Sequence, residues 1–171
     1  MKHIILAITL LTIISLTACS VQVSTSTETT ANNTPMVTLT QPTADNAAEE
    51  SEIRDLVRNF GKRLQMVSLL APDAAQEMQK QYSEFVSPAL LEMWANNVSK
   101  APGRIVSSPW PDQIEITTLS KGSGRYEITG FVVEVTSTEV GSGEAAAKIP
   151  VRIVVQEEQG RWLITEDAEE Q

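Results

Sequence analysis

Apolar side chains recur at every third or fourth position from Ile53 to Ala71, which places them on one face of a helix. Asn46 and Glu49 have the spacing of a capping box, so we expect this helix to begin near Asn46. Pro72 cannot continue the helix and should end it. Three more apolar residues widen the face at that end, namely Met66, Leu69 and Leu70. We expect the domain or a partner to cover this wider end.

Two shorter helices are predicted after the first. Asp73 can cap a second helix that ends near Val86. Ser87 and Pro88 have the pattern of a cap followed by a first-turn proline, which predicts a third helix that reaches about Val98.

Residues 99–112 contain three prolines and are predicted to form a loop, with a short strand around residues 104–106. Apolar and polar residues then alternate, which predicts strands near residues 114–116, 126–135, 147–155 and 162–164. The alternation slips at Gly130, which predicts a bulge that bends its strand. The slip assigns three later residues to the inner face, namely Phe131, Val133 and Val135. Pro150 lacks a backbone donor, so its strand should lie at an edge or carry a bulge.

Three helices followed by a meander of strands predict an α+β domain, with three N-terminal helices packed on a curved antiparallel sheet of three to five strands. This domain occupies residues 49–167, and residues 168–171 form an acidic tail. The segment 20–48 instead contains 11 Ser or Thr and two charged side chains. Such a composition cannot form a core, so residues 19–48 are predicted to be a disordered tether.

The chain starts with the pattern of an export signal, in which Lys2 precedes an apolar run over residues 4–16. This run is shorter than the roughly 20 residues that span a bilayer as a helix. Leu16-Thr17-Ala18-Cys19 closes it and resembles the lipobox of bacterial lipoprotein signal peptides. The resemblance implies that residues 1–18 are removed and that a lipid on Cys19 holds the protein on the outer side of a bacterial membrane. The alternative is an ordinary secretory signal with an incidental cysteine.

Removal of residues 1–18 would leave 12 basic and 22 acidic side chains. This acidic balance argues against nucleic acid as a partner and leaves membrane attachment to the lipid. The remaining chain would have no histidine and no free cysteine, because His3 is removed and Cys19 is lipidated. Catalytic triads built on histidine, and zinc or copper sites built on nitrogen or thiolate ligands, are therefore excluded. We expect no metal and no cofactor.

The order of elements, taken with three short segments, resembles the nuclear transport factor 2-like superfamily. These segments are Phe85–Pro88, Pro111–Ile116 and Gly160–Ile164. The resemblance covers residues 49–167 and implies a cone in which a bent sheet wraps a long helix, with an open end that can hold a pocket. Members of the superfamily include isomerases, cyclases, dehydratases, transport adaptors and binding modules.

An isomerase-like member would need a carboxylate base and a tyrosine in that pocket. The acids of the predicted strands fall mostly on the outward phase, namely Glu115, Glu127 and Glu134, so we assign no catalytic residue. Tyr82 and Tyr126 can each supply a hydroxyl to a pocket, or pack in the core with the hydroxyl at its rim. Trp94 and Trp162 have two interpretations as well, as core residues or as the lining of a ligand cavity.

Trp110 lies between two prolines and outside any periodic face, so its ring should be partly exposed. A tryptophan held in this way can anchor a partner at low entropic cost, or fold over the open end of the cone.

Because no set of catalytic residues is recognised in the sequence, we favour a non-catalytic lipoprotein whose domain binds a protein partner or an envelope ligand. One alternative is an isomerase or cyclase-type enzyme that uses a buried carboxylate with Tyr82 or Tyr126. Another is a scaffold in an envelope assembly. A homodimer through the wide end of the first helix, or through the outer face of the sheet, is consistent with the superfamily.

Overall fold

A computed structural model describes residues 44–169 of the chain. The predicted signal peptide, Cys19 and nearly all of the predicted tether lie outside the described residues. The helices are α1 (Ala44–Leu64), α2 (Ala74–Tyr82) and α3 (Pro88–Asn96), and a short 3-10 turn follows at Val98–Lys100. The strands are β1 (Trp110–Lys121), β2 (Arg125–Val135), β3 (Ala147–Glu158) and β4 (Arg161–Glu169).

The four strands form one antiparallel sheet in the order β1-β2-β3-β4, so each strand pairs with its neighbour in the chain. α1 packs chiefly on β1, while α3 packs on α2 and β4. The α+β class, the three helices that precede the sheet and the antiparallel meander are confirmed. Within the described residues, no helix has both the length and the apolar character needed to cross a membrane.

The bounds of α1 differ from the prediction at both ends. The helix already begins at Ala44, so the last residues of the predicted tether are helical. Asn46 and Glu49 form no capping box, because Asn46 already lies inside the first turn, and both side chains accept hydrogen bonds from Lys121 instead. The helix ends at Leu64 instead of reaching Pro72.

The early end of α1 has a cause that lies far away in the sequence. The backbone of Arg104 donates to the Val67 carbonyl and accepts from the Leu69 N–H, both at 2.8 Å. Ser68 and Arg104 therefore form an isolated parallel bridge. This bridge takes the place of helical hydrogen bonds after Leu64, and it is found where a short strand was predicted near residue 104. A Cβ on Gly103 would lie 3.0 Å from the Val67 carbonyl oxygen, so the two segments are in close contact.

The caps of the shorter helices follow the prediction in part. The Ser87 hydroxyl accepts a hydrogen bond from the Leu90 N–H at 3.3 Å, and Pro88 occupies the first turn of α3, which confirms the predicted cap. Asp73 holds the cap position of α2, but its side chain makes no capping bond. α2 ends at Tyr82 and not near Val86, whose backbone forms a bridge to Ile164 of β4.

The predicted bulge at Gly130 is wrong, because the extra residue lies in the neighbouring strand. Ile116 pairs with Gly130 and Thr118 pairs with Thr129, which leaves Thr117 of β1 without a partner. β2 keeps an unbroken register with β3, so its alternation does not slip. The inner face of β2 carries Tyr126, Ile128 and Val132. The inward assignment of three residues is therefore wrong, namely Phe131, Val133 and Val135.

The prediction for Pro150 is also corrected, since β3 is an interior strand. Pro150 pairs with Phe131 of β2, whereas the described pairing with β4 begins at Val151. Within the described residues, the missing donor of Pro150 therefore removes no bond to β4.

Aromatic rings fill the space between the helices and the sheet. Phe60 packs edge-on against Tyr82 at 5.1 Å between ring centroids and stacks on Trp94 at 6.3 Å. Tyr82 and Trp94 meet edge to face at 6.1 Å, and all three rings are buried. The interior of the domain is therefore a packed core at this position.

Candidate functional site

Tyr82 and Trp94 belong to the core and not to an open pocket. The Tyr82 hydroxyl donates to the Pro102 carbonyl at 2.9 Å. Burial, with the nearby charge of Asp167, raises the pKa of Tyr82 far above its ordinary value, so the hydroxyl stays protonated. The Trp94 Nε1–H is buried without a hydrogen-bond partner among the described residues. Both side chains therefore fit the core interpretation.

Tyr126 lies at one end of the core, where the start of α1 meets the β1–β2 hairpin. Its hydroxyl donates to Glu49 Oε1 at 2.9 Å. Lys121, which faces Tyr126 across the hairpin, donates to Glu49 Oε2 at 2.9 Å and to Asn46 Oδ1 at 3.1 Å. Trp162 packs edge to face on the Tyr126 ring at 5.5 Å between centroids. We call these five residues the rim cluster.

The rim cluster contains the tyrosine and carboxylate of the predicted isomerase alternative, but its electrostatics favour a structural bridge. The hydrogen bond from Lys121, followed by that from Tyr126, lowers the pKa of Glu49. The bond to Glu49 raises the pKa of Lys121, and burial raises that of Tyr126. A general base works best with a pKa near the operating pH, and Glu49 is shifted away from it. The Tyr126 hydroxyl already donates to Glu49, so it is not a free donor for a substrate.

A surface groove of about 580 Å³ begins at Trp162 and runs between α1 and the β3–β4 turn. Five of its nine lining residues are polar or charged, and three others are apolar or aromatic. The lining consists of Glu52, Asp55, Leu56, Asn59, Glu84, Phe85, Gly160, Arg161 and Trp162. We call this the Trp162 groove. Trp162 is half-buried, so one part of the indole packs on the core while another part borders the groove.

Carboxylates dominate the charge of the Trp162 groove. Within the described residues, Glu52 and Glu84 form no ion pair, and Asp55 has only an exposed contact of 3.8 Å with Arg58. Arg161 donates to the backbone carbonyl of Glu84 at 3.0 Å, so its guanidinium is held at the groove wall. The groove therefore presents an aromatic ring beside three carboxylates and one cation.

Trp110 is the first residue of β1 and not part of a loop, which corrects the interpretation that it lies outside any periodic element. It pairs with Val135 of β2 and is half-buried. Trp110 and Trp162 are therefore both partly exposed. The Trp162 groove includes Trp162 and does not include Trp110.

The strand acids are mostly engaged on the outer face of the sheet. Glu115 pairs with Lys148, while Glu127 contacts both Arg125 and Arg152. These contacts agree with the predicted outward phase. Within residues 44–169, no group of three or more His, Cys, Asp or Glu side chains could hold a metal ion.

Sequence reasoning missed Glu49 and Lys121 as partners of Tyr126. Glu49 was interpreted only as a helix cap, since 77 positions separate it from Tyr126. One signal was available, because Lys121 and Tyr126 flank a glycine-rich turn and must face each other in a hairpin. Nothing in the sequence indicates that the start of α1 lies beside this hairpin.

No protein-family model and no curated protein matches the sequence. Among solved structures, the chain is similar to a designed nuclear transport factor 2-like protein, a variant of Rd1NTF2_05, at 15% identity over 72% of this chain and 96% of that one, with a TM-score of 0.34. It is similar to the intermembrane space region of chloroplast protein ARC6 at 15% identity over 75% and 98%, with a TM-score of 0.39. The SEC-C motif containing protein RPA3114 from Rhodopseudomonas palustris is 14% identical over 61% and 82%, with a TM-score of 0.38. Such low TM-scores carry no argument, so the α+β description depends on the elements themselves.

Proposed function

We propose that this chain is a lipid-anchored protein on the outer side of a bacterial membrane, and that its domain binds a basic segment of a partner protein without catalysis. The observation that carries the binding proposal is the Trp162 groove, where an indole lies beside Glu52, Asp55 and Glu84. The chemistry of this lining determines which partner fits.

A lysine or arginine side chain of a partner matches the groove in two ways. The face of an indole attracts a cation, and unpaired carboxylates supply the opposite charge. Glu52 and Glu84 form no ion pair within residues 44–169, so a partner would break none to reach them. Leu56 and Phe85 provide apolar contact for the stem of such a side chain.

The anchor is proposed from the lipobox resemblance at Leu16–Cys19. A lipid on Cys19 would account for the single cysteine of an exported chain, since one cysteine cannot form an internal disulfide. We further infer that the domain is a cone of the nuclear transport factor 2-like superfamily, which the order of three helices and four antiparallel strands supports.

Binding of a fluorescent lysine-rich peptide, followed by anisotropy, tests the groove. The double variant Glu52→Lys, Glu84→Lys should weaken binding about tenfold, because it reverses two charges that lie beside the bound cation. The double variant Glu92→Lys, Glu144→Lys is the matched control, since it reverses the same number of charges at exposed residues outside the groove. Equal binding by the groove variant and the control variant would contradict the proposed site.

Metabolic labelling with a radioactive fatty acid tests the anchor separately. Cys19→Ala should abolish both the label and the retention of the protein in membranes washed with about 0.5 M salt. Retention of the unlabelled variant in the salt-washed membrane would show that the lipid is not the anchor.

An isomerase or cyclase-type enzyme is the second candidate, because the Tyr126 hydroxyl and the Glu49 carboxylate meet at 2.9 Å. Exchange of the proton beside the carbonyl of a cyclic enone, followed by NMR in heavy water, distinguishes the two candidates. We expect the protein and its Glu49→Gln variant to give the same background exchange. Exchange that requires Glu49 would favour the enzyme.

A further inference from the structure

Exposed apolar side chains gather at the end of the domain that follows α1. Four large hydrophobic residues that are more than half exposed lie on two adjoining segments, namely Met66, Leu70, Ile105 and Val106. Backbone hydrogen bonds of 2.8 Å from Arg104 to Val67 and from Leu69 to Arg104 hold the segments side by side. We call these four residues the apolar end. Large apolar side chains that are exposed together commonly mark an interaction surface.

Cations flank the apolar end in both segments. Lys62 and Arg63 precede the first segment, while Lys100 and Arg104 precede Ile105. Within residues 44–169, none of these four cations forms an ion pair with a carboxylate. Six other cations of the described chain do form such pairs, namely Arg58, Lys80, Lys121, Arg125, Lys148 and Arg152. Six basic side chains of residues 44–169 form no such pair, and four of them belong to these two segments or directly precede them; the other two are Arg54 and Arg161. The Arg63 guanidinium lies over the Phe85 ring at 6.0 Å and the Arg104 Nε is buried, so the exposed Lys62 and Lys100 supply the most accessible positive charge. This charge lies near exposed apolar surface although acids outnumber bases in the chain by 22 to 13.

We propose that the apolar end docks on the surface of an anionic lipid bilayer. Apolar side chains that enter the headgroup region lose contact with water, and neighbouring lysines and arginines remain at the level of the lipid phosphates. Leu70, Ile105 and Val106 are exposed by 77%, 62% and 53%, so their side chains are accessible to a bilayer. Met66 borders a shallow groove that Lys62, Arg63 and Glu84 also line.

The chain that precedes α1 is long enough for this orientation, which rests on the lipid anchor of the proposed function. α1 contains 21 residues and is therefore about 30 Å long, and the apolar end follows its last turn. Residues 20–43 can span at most about 80 Å. This reach exceeds the length of α1. A lipid anchor at Cys19 therefore allows the apolar end, which lies beyond the last turn of α1, to contact the bilayer.

The acidic balance of the whole chain restricts which surface can approach the membrane. Anionic headgroups repel carboxylates, and this repulsion is short-ranged at physiological salt. A local surplus of cations can therefore bind such a membrane even on an acidic protein. The net charge alone favours repulsion from anionic lipid, whereas the distribution of unpaired cations favours contact at one end.

Flotation with vesicles of phosphatidylcholine and about a third phosphatidylglycerol tests the proposal. Residues 19–171 carrying Cys19→Ala are used, so that neither an attached lipid nor the apolar run over residues 4–16 contributes to binding. Met66→Asp should weaken vesicle binding about tenfold, because it replaces an inserted side chain with an anion. Met93→Asp is the matched control, since Met66 and Met93 are both 53% exposed and Met93 lies on α3. A Lys62→Glu, Lys100→Glu variant, or about 0.5 M salt, should weaken binding at least as much.

Equal flotation of the Met66→Asp and Met93→Asp variants would overturn the proposal, as would equal binding to vesicles without phosphatidylglycerol. The same variants are also assayed with a synthetic peptide of alternating glutamate and leucine. If Met66→Asp impairs only peptide binding, the apolar end is a site for an acidic protein segment and the membrane proposal fails. Because all variants lack Cys19, a failure of lipid labelling leaves this result unchanged and refutes only the anchor.

Discussion

The rim cluster shows how one residue joins parts of the chain that are far apart in sequence. Glu49 accepts hydrogen bonds from Lys121 and Tyr126, and these bonds lower its pKa below the ordinary value of 4.5. A carboxyl group whose pKa is lowered by folding stabilises the fold above its unfolded pKa. This stabilisation is lost as the pH falls through the lower, folded value. Glu49 therefore connects α1 to the β1–β2 hairpin most strongly at neutral pH.

Glu49→Gln should accordingly lower the melting temperature at neutral pH, and the difference from the unmodified protein should shrink as the pH falls below 4.5. Thermal unfolding followed by circular dichroism over an acid-to-neutral series measures this. Glu144→Gln is the control, because Glu144 is exposed and forms no ion pair within residues 44–169. A difference that stays constant with pH would exclude the ionised carboxylate as its source.

Gly130 is a second residue whose role comes from its neighbour. A Cβ at this position would overlap the backbone carbonyl oxygen of Glu115, which cannot move without disturbing the β1–β2 pairing. Gly130→Ala should therefore destabilise the domain by about 2 to 3 kcal/mol in urea unfolding. Gly122→Ala should change stability by less than about 0.5 kcal/mol, since its Cβ would meet Arg125 at an ordinary 3.5 Å. A similar loss of stability in Gly130→Ala and Gly122→Ala would contradict the steric explanation.

At the scale of elements, local chemistry was predictable and distant pairing was not. Ser87 and Pro88 indicate the start of α3 through interactions within four residues of the chain, so the cap was predicted correctly. The end of α1 depends on Arg104, which lies 40 residues beyond Leu64, and the helical pattern continues across the break. Gly130 was correctly identified as special, yet its bulge was assigned to β2. The extra residue lies in β1, and a single strand does not reveal which partner carries it.

The cap of α3 allows a direct test of element stability. The Ser87 side chain is buried and its hydroxyl accepts from Leu90, so Ser87→Ala should destabilise the domain by about 1 kcal/mol. Asp73→Ala is matched by position, because Asp73 caps α2 without a side-chain bond, and it should cost less than about 0.5 kcal/mol. Chemical denaturation of both variants gives the comparison. If Asp73→Ala lowered the stability more than Ser87→Ala does, the cap position would matter more than the capping hydrogen bond.

At the scale of the whole molecule, the candidate site was predictable only in its parts. Tyr126 was identified as a candidate because its hydroxyl could reach a pocket, and Trp162 because its ring could line a ligand cavity. Their shared location depends on the β3–β4 turn lying beside the start of α1, which no local pattern encodes. The acids of the Trp162 groove come from α1 and from the segment after α2, where each resembles an ordinary solvated residue. These acids line a single groove only because the chain topology brings the two segments together.

Topology also bears on the homodimer that the sequence leaves open. Four apolar residues of the sheet that lie outside the main core cluster are already buried within the chain, namely Val133, Val135, Val154 and Leu163. Ion pairs cover the same sheet, including those of Glu115 with Lys148 and of Arg152 with Glu127 and Glu166. A second copy placed there would have to desolvate these charges, which opposes association. We therefore expect the chain carrying Cys19→Ala to be a monomer.

Light scattering coupled to size exclusion, over a wide range of protein concentration, measures this expectation. A constant monomer mass agrees with a sheet that is closed by its own ion pairs. If a dimer forms instead, Arg152→Glu and Leu70→Asp identify its interface, because one lies on the sheet and the other at the apolar end. Dissociation by Arg152→Glu alone would show that the sheet binds a second copy in spite of the desolvation cost. Dissociation by Leu70→Asp alone would assign the apolar end to a second copy, and vesicle binding would then have to compete with dimerisation for the same side chains.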